Sequence, residues 1–87
     1  MPWIFNGSNS RFCSGVFSSK ENAENYIKKY NLSGLLTLYP LDESAYDWAI
    51  NNNFFSPSKD TEKTVEFIQS FTSSSQEHFH YENGDLD

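Results

Sequence analysis

Basic residues are scarce in this 87-residue chain: six Lys and Arg stand against twelve Asp and Glu, for a formal net charge of −6. Recognition of a phosphate backbone needs clustered Lys and Arg, so nucleic acid is not an expected partner. There is a single cysteine, Cys13, which excludes an intramolecular disulfide. No apolar run approaches the ~20 residues of a membrane-spanning helix, so a membrane is not expected either. The opening MPWIFNGSNS has no basic segment followed by a long apolar one, so no signal peptide is expected and the simplest location is the cytoplasm. Internal repeats are missing. Neither Asn6-Gly7 nor Asn83-Gly84 belongs to a phosphate-cradling loop, since no helix carrying Lys-Ser/Thr follows. Aliphatic residues are few as well, and fifteen aromatic rings (eight Phe, five Tyr, two Trp) partly replace them. A chain of this length folds as one domain and buries roughly 60–65% of its unfolded surface, too little for every ring to go inside.

The strongest pattern runs from Gly15 to Leu41. Val16-Phe17 closes an apolar segment, and Ser18 with Glu21 three residues later reads as a capping box. Ala23, Tyr26, Ile27 and Tyr30 then recur at helical spacing, with Lys20, Glu21, Glu24, Asn25 and Lys28 opposite. Lys28 and Lys29 suit the negative end of the helix dipole, and Asn31 suits a left-handed terminator. The spacing predicts a helix over 19–30. Ser33-Gly34 then turns the chain into a β-rich run, 35–39, stopped by Pro40.

Before this unit, 2–5 reads as a strand ended by the turn signal Asn6-Gly7, and 11–17 as its hairpin partner. Trp3 and Phe5 share one face, and Phe12 and Phe17 need a bulge, placed at Gly15. After it, Asp42 or Ser44 caps a second helix to about Asn52, with Ala45, Trp48, Ala49 and Asn52 along one side. Phe54-Phe55 returns toward the core, and 56–60 is an exposed loop. In 64–71, Val65, Ile68 and Phe71 fit a helical face while Val65 and Phe67 fit a strand; a short helix capped by Thr61 or Thr64 is favoured. The run 76–82 alternates with period two, Phe79 and Tyr81 one way and His78, His80 and Glu82 the other, as a last strand closed by Asn83-Gly84. Residues 1–84 are then the globular domain and 85–87 a frayed tail.

Charge is unevenly spread along the chain. Residues 1–41 hold Arg11, Lys20, Lys28 and Lys29 against Glu21 and Glu24, net +2; residues 42–87 hold ten acids against Lys59 and Lys63, net −8. A basic protein or a cation suits the second half, although acidity also serves solubility alone. His78-x-His80 sets two imidazoles about 7 Å apart on one strand face, and Glu82 extends that row as a possible third metal ligand. No Cys/His pair elsewhere completes a tetrahedral set, so His78, His80 and Glu82 are weak candidates and neither metal nor cofactor is expected. Cys13 with His78 or His80 has no oxyanion loop or orienting group at recognisable spacing, so enzymatic activity is not expected. Aromatic rings beside exposed acids are what anchors a protein interface, which singles out Tyr46, Asp47, Phe54, Phe55, His78, His80 and Glu82 as a protein-binding set.

Trp3-Ile4-Phe5-Asn6-Gly7, Val16-Phe17-Ser18 with Lys20-Glu21 and Ala23-Glu24, Tyr39-Pro40-Leu41-Asp42, Tyr46-Asp47-Trp48-Ala49, Phe67-Ile68 with Phe71, and Ser75-Gln76-Glu77-His78 with His80-Tyr81-Glu82-Asn83-Gly84 together resemble a family of small single-domain bacterial proteins of unknown function. The resemblance spans nearly the whole chain. Such sequences usually carry proline where this one has Cys13 and Val65, which argues against a role for Cys13 and weakens the helix at 65–71. The resemblance implies fold and extent and transfers no activity.

The expected fold is α+β: a small antiparallel or mixed sheet of about four strands with two main helices on one face, in the order β-β-α-β-α-(α)-β. The expected function is a non-catalytic protein-interaction module, immunity- or antitoxin-like in its most concrete form, that meets a basic protein as a monomer or homodimer. The alternative is a small metal- or ligand-binding domain using the His78, His80 and Glu82 face.

Overall fold

Two helix stops built on asparagine and one antiparallel sheet organise the computed structural model, which describes residues 1–87. Its elements are β1 (Trp3–Gly7), β2 (Cys13–Phe17), α1 (Lys20–Lys29), β3 (Gly34–Leu38), α2 (Ala45–Asn51), a 3-10 turn (Asp60–Lys63), α3 (Val65–Gln69), β4 (His78–Glu82) and β5 (Asp85–Leu86). The architecture is the expected α+β. Contacts group the chain into two compact units, Met1–Tyr39 with Gln76–Asp87, and Pro40–Ser75.

In the first unit the strands lie in the order β2-β1-β3-β4-β5, every neighbour antiparallel. Trp3, Phe5, Leu36 and Tyr81 alternate onto one face and bury against Ala23 and Ile27 of α1, with Phe17, Tyr26, Leu32, Leu38 and Phe79 packed around them. Ala23 and Ile27 are fully buried. Tyr26 is half-buried and Tyr30 exposed, so the inner stripe of α1 is narrower than its four apolar positions imply.

Helix α1 starts one residue later than expected: Ser19, not Ser18, caps it, its Oγ accepting from the Asn22 N–H at 3.1 Å. Its end is a Schellman motif with Asn31 left-handed (φ 54°), where the Leu32 N–H donates to the Ile27 carbonyl and the Asn31 N–H to that of Lys28. Gly34 follows, and no other residue fits there. A Cβ at that position would collide with the Asn6 carbonyl oxygen and lie 2.8 Å from the Gly7 Cα.

Four local expectations change. Asn6-Gly7 does not turn; both residues stay in β1 because they pair with Leu35 and Gly34 of β3, and the turn falls at 8–10 with Asn9 left-handed. The bulge is at Ser14 and not Gly15: Phe5 pairs Gly15 and Asn6 pairs Cys13, which leaves Ser14 over. Asn83-Gly84 does not end the sheet. With φ of 51° and 88° the pair makes a two-residue hairpin turn of the type that matches strand twist, so Leu86 pairs Tyr81 and Asp85 pairs Glu82. Residues 85–86, expected to fray, are therefore a fifth strand, and the Asp87 N–H donates to the His80 carbonyl at 2.8 Å.

In the second unit Ser44 caps α2 by accepting from the Asp47 N–H at 3.0 Å, and Asn53 (φ 61°) closes it with the same motif as α1. Segment 65–69 is helical, capped by Thr64. Its inward residue is Phe67, joined by Phe71 just after the helix, while Val65 is 71% and Ile68 40% exposed, so of the expected Val65–Ile68–Phe71 face only Phe71 turns inward. No helix is long and apolar enough to cross a membrane.

Candidate functional site

Tyr46, Phe55, Phe67 and Phe71 converge in the second unit. Tyr46 meets Phe71 edge-on at 5.4 Å and Phe55 at 5.9 Å, and Phe55 stacks on Phe67 at 5.8 Å. The Tyr46 hydroxyl donates to the Glu62 carbonyl at 2.9 Å, so both ends of the ring are used. The Glu62 carboxylate in turn accepts from the backbone N–H groups of Ser58 and Lys59 at 3.0 Å each, and these bonds hold its pKa below the usual carboxylate value. Tyr46 and Phe55 thus serve internal packing in this unit. Asp47 is exposed on α2, and Phe54 is 55% exposed with one face 5.3 Å from Trp48.

His78, His80 and Glu82 occupy the face of the sheet opposite α1, as the alternation predicts, because Phe79 and Tyr81 face the core. The two imidazoles lie 5.6 Å apart, nearly perpendicular. Nδ1 of His78 is 2.7 Å from the Gln76 carbonyl, which only accepts, so that nitrogen carries the proton and donates. His80 and Glu82 are exposed. No three His, Cys, Asp or Glu side chains in the structure stand close enough to share a metal ion. Cys13 is exposed on β2, and β1 and β3 separate it from the histidines of β4. Three strand spacings amount to about 14 Å, beyond the reach of a nucleophile–base hydrogen bond.

Beside His80 the sheet carries a cleft of about 270 Å³, lined among others by Asn6, Ser8, Leu35, Glu82 and Asp87. Its carboxylates come from β4 and the segment after β5, and no Lys or Arg lines it. Nothing local in the sequence marks this cleft. It exists because Asn6, Leu35 and His80 fall in register across three strands, and because the hairpin turn at Asn83-Gly84 brings Asp87 back.

Tyr81 is the other titratable group held tightly here. Its hydroxyl donates to the Glu24 carboxylate at 2.7 Å, and burial first, then that carboxylate, push its pKa far above the usual tyrosine value.

No curated protein and no solved structure matches the chain. One family does: over residues 2–87 the sequence fits the model described as a domain of unknown function, DUF7710, and the chain belongs to that family.

Proposed function

We propose that this chain is a non-catalytic protein-interaction module of the bacterial cytoplasm whose acidic second half binds a basic partner, in the manner of an immunity or antitoxin-like inhibitor. The observation that carries this reading is exposure. Of the ten acids in 42–87, eight are exposed (Asp42, Asp47, Asp60, Glu66, Glu77, Glu82, Asp85 and Asp87), and only Glu43 and Glu62 are half-buried. Carboxylates serving local structure would be bonded to their own chain, as Glu62 is to the Ser58 and Lys59 amides. The cleft beside His80 supports the same chemistry, because Glu82 and Asp87 at its rim suit a lysine or arginine side chain.

The alternative, a metal or ligand on His78, His80 and Glu82, has the 5.6 Å imidazole pair in its favour. It is the weaker reading, since one nitrogen of His78 is committed to Gln76 and no third ligand joins the pair. The test is affinity capture on the tagged chain followed by titration of the recovered basic protein. A 1:1 complex is expected, weakened at least tenfold between 50 and 500 mM salt and again by Glu82→Lys with Asp47→Lys. A complex indifferent to both changes, or imidazole shifts in a zinc titration followed by NMR with no protein bound, would reverse the order of the two readings.

A further inference from the structure

The two edges of the sheet are unequal. At one, β5 is two residues long, begins with Asp85 and is followed by Asp87, a length and charge that discourage pairing with another chain. At the other, β2 has five residues and no lysine, arginine, aspartate, glutamate or proline from Cys13 to Phe17. It pairs only with β1, so alternate N–H and C=O groups face outward with no strand beside them. Val16 is 62% exposed on that edge, and Phe12 just before it is 78% exposed. The Ser14 bulge interrupts the edge once, but Ser14 is held in place, its Oγ accepting from the Tyr26 hydroxyl at 2.9 Å.

The charge beside this edge is positive, opposite to that of the second half. Arg11 lies 5.9 Å from the Phe12 ring centroid, and Lys29 lies 5.2 Å from that of Tyr30. Tyr30 reaches the edge through Tyr26, which it meets at 5.8 Å and which meets Phe17 of β2 at 5.3 Å. One exposed cation–aromatic pair therefore stands directly before β2, and a second, at the end of α1, is joined to the strand through Tyr26.

We propose that the free edge of β2 takes a short extended segment of another protein as an added strand, and that this segment is acidic. Its backbone pairs with Cys13–Phe17, its apolar side chains rest on Val16 with Phe12 at the entry to the strand, and its carboxylates meet Arg11 and Lys29. This site is separate from the acidic surface proposed above and stands or falls without it.

The probe is a capped hexapeptide alternating glutamate and valine, with the lysine–valine peptide as control, each titrated into the ¹⁵N-labelled chain. Expected are amide shifts confined to residues 11–17 and 26–30, slowed hydrogen exchange in β2, and at least tenfold weaker binding of the lysine peptide. The double variant Arg11→Glu, Lys29→Glu should reverse that preference; both side chains are exposed, and amide dispersion verifies its fold, with Lys29→Glu alone as a fallback. Absence of shifts at millimolar peptide, shifts centred on the His80 cleft, or equal binding of the two peptides would overturn the proposal. So would a doubling of mass without peptide that protects the same β2 amides, which would assign the edge to a second copy.

Discussion

Tyr81 shows how much one side chain does in a sheet this small. Its ring is part of the core and its hydroxyl is the polar exit, bonded to Glu24 on α1 and so tying β4 to the helix. The folded state holds the phenol protonated. A pKa raised on folding gives stability that is fully present below the unfolded value, near 10, and is lost as pH rises through and beyond it. Denaturant midpoints should therefore show no pH dependence from this group near neutrality, where its contribution is complete, and a steep fall above about pH 10. Tyr81→Phe should cost about 1.5–3 kcal/mol at pH 7, the range for a hydrogen bond to a charged acceptor, and should flatten that alkaline fall. An unchanged alkaline limb in the variant would mean that another group sets it. Glu62 works in the opposite direction: its pKa is lowered by the Ser58 and Lys59 amides, so its contribution is present above the ordinary glutamate value and fades as pH drops through the folded one.

At the scale of elements, the helix ends carry the most information. Ser44 and Thr64, each one of two caps the sequence offers, are the ones used, and Asn31 and Asn53 take the left-handed position that ends each main helix. Asparagine tolerates that conformation where alanine pays for a crowded Cβ. Asn53→Ala should thus destabilise α2 by about 1 kcal/mol while Asn53→Gly leaves it unchanged or slightly firmer, read as hydrogen-exchange protection of residues 48–52. Equal losses in the two variants would show that the asparagine side chain, and not its backbone, is what matters. Such signals are legible because they are local. Asn6-Gly7 and Asn83-Gly84 are the same dipeptide, yet one continues a strand and the other turns it; only β3, far along the chain, tells them apart. The candidate residues divide likewise: alternation correctly sets His78, His80 and Glu82 on one face, whereas the burial of Tyr46 and Phe55 depends on Phe67 and Phe71, rings that no spacing rule links to them.

For the whole molecule the decisive quantity is where the charge lies. A net of −6 disguises a first half of +2 and a second half of −8, and within each compact unit the exposed acids of that second half repel one another in water. Raising sodium chloride from 20 to 500 mM shortens the Debye length from roughly 20 Å to about 4 Å and removes most of that repulsion. The isolated chain should then become more stable, on the order of 0.5 kcal/mol or about 2–4 °C in Tm. Binding to a basic partner should respond in the opposite sense, because the same screening removes the attraction that assembles the complex. The pair of responses separates the two explanations of the acidity. Carboxylates that only keep the domain dissolved predict the rise in Tm and no salt-sensitive complex; carboxylates that form a binding surface predict both, with charge reversal at Glu82 and Asp47 weakening association further. Thermal melts and binding isotherms across one salt series, on the parent chain and that double variant, provide the four curves that decide between them.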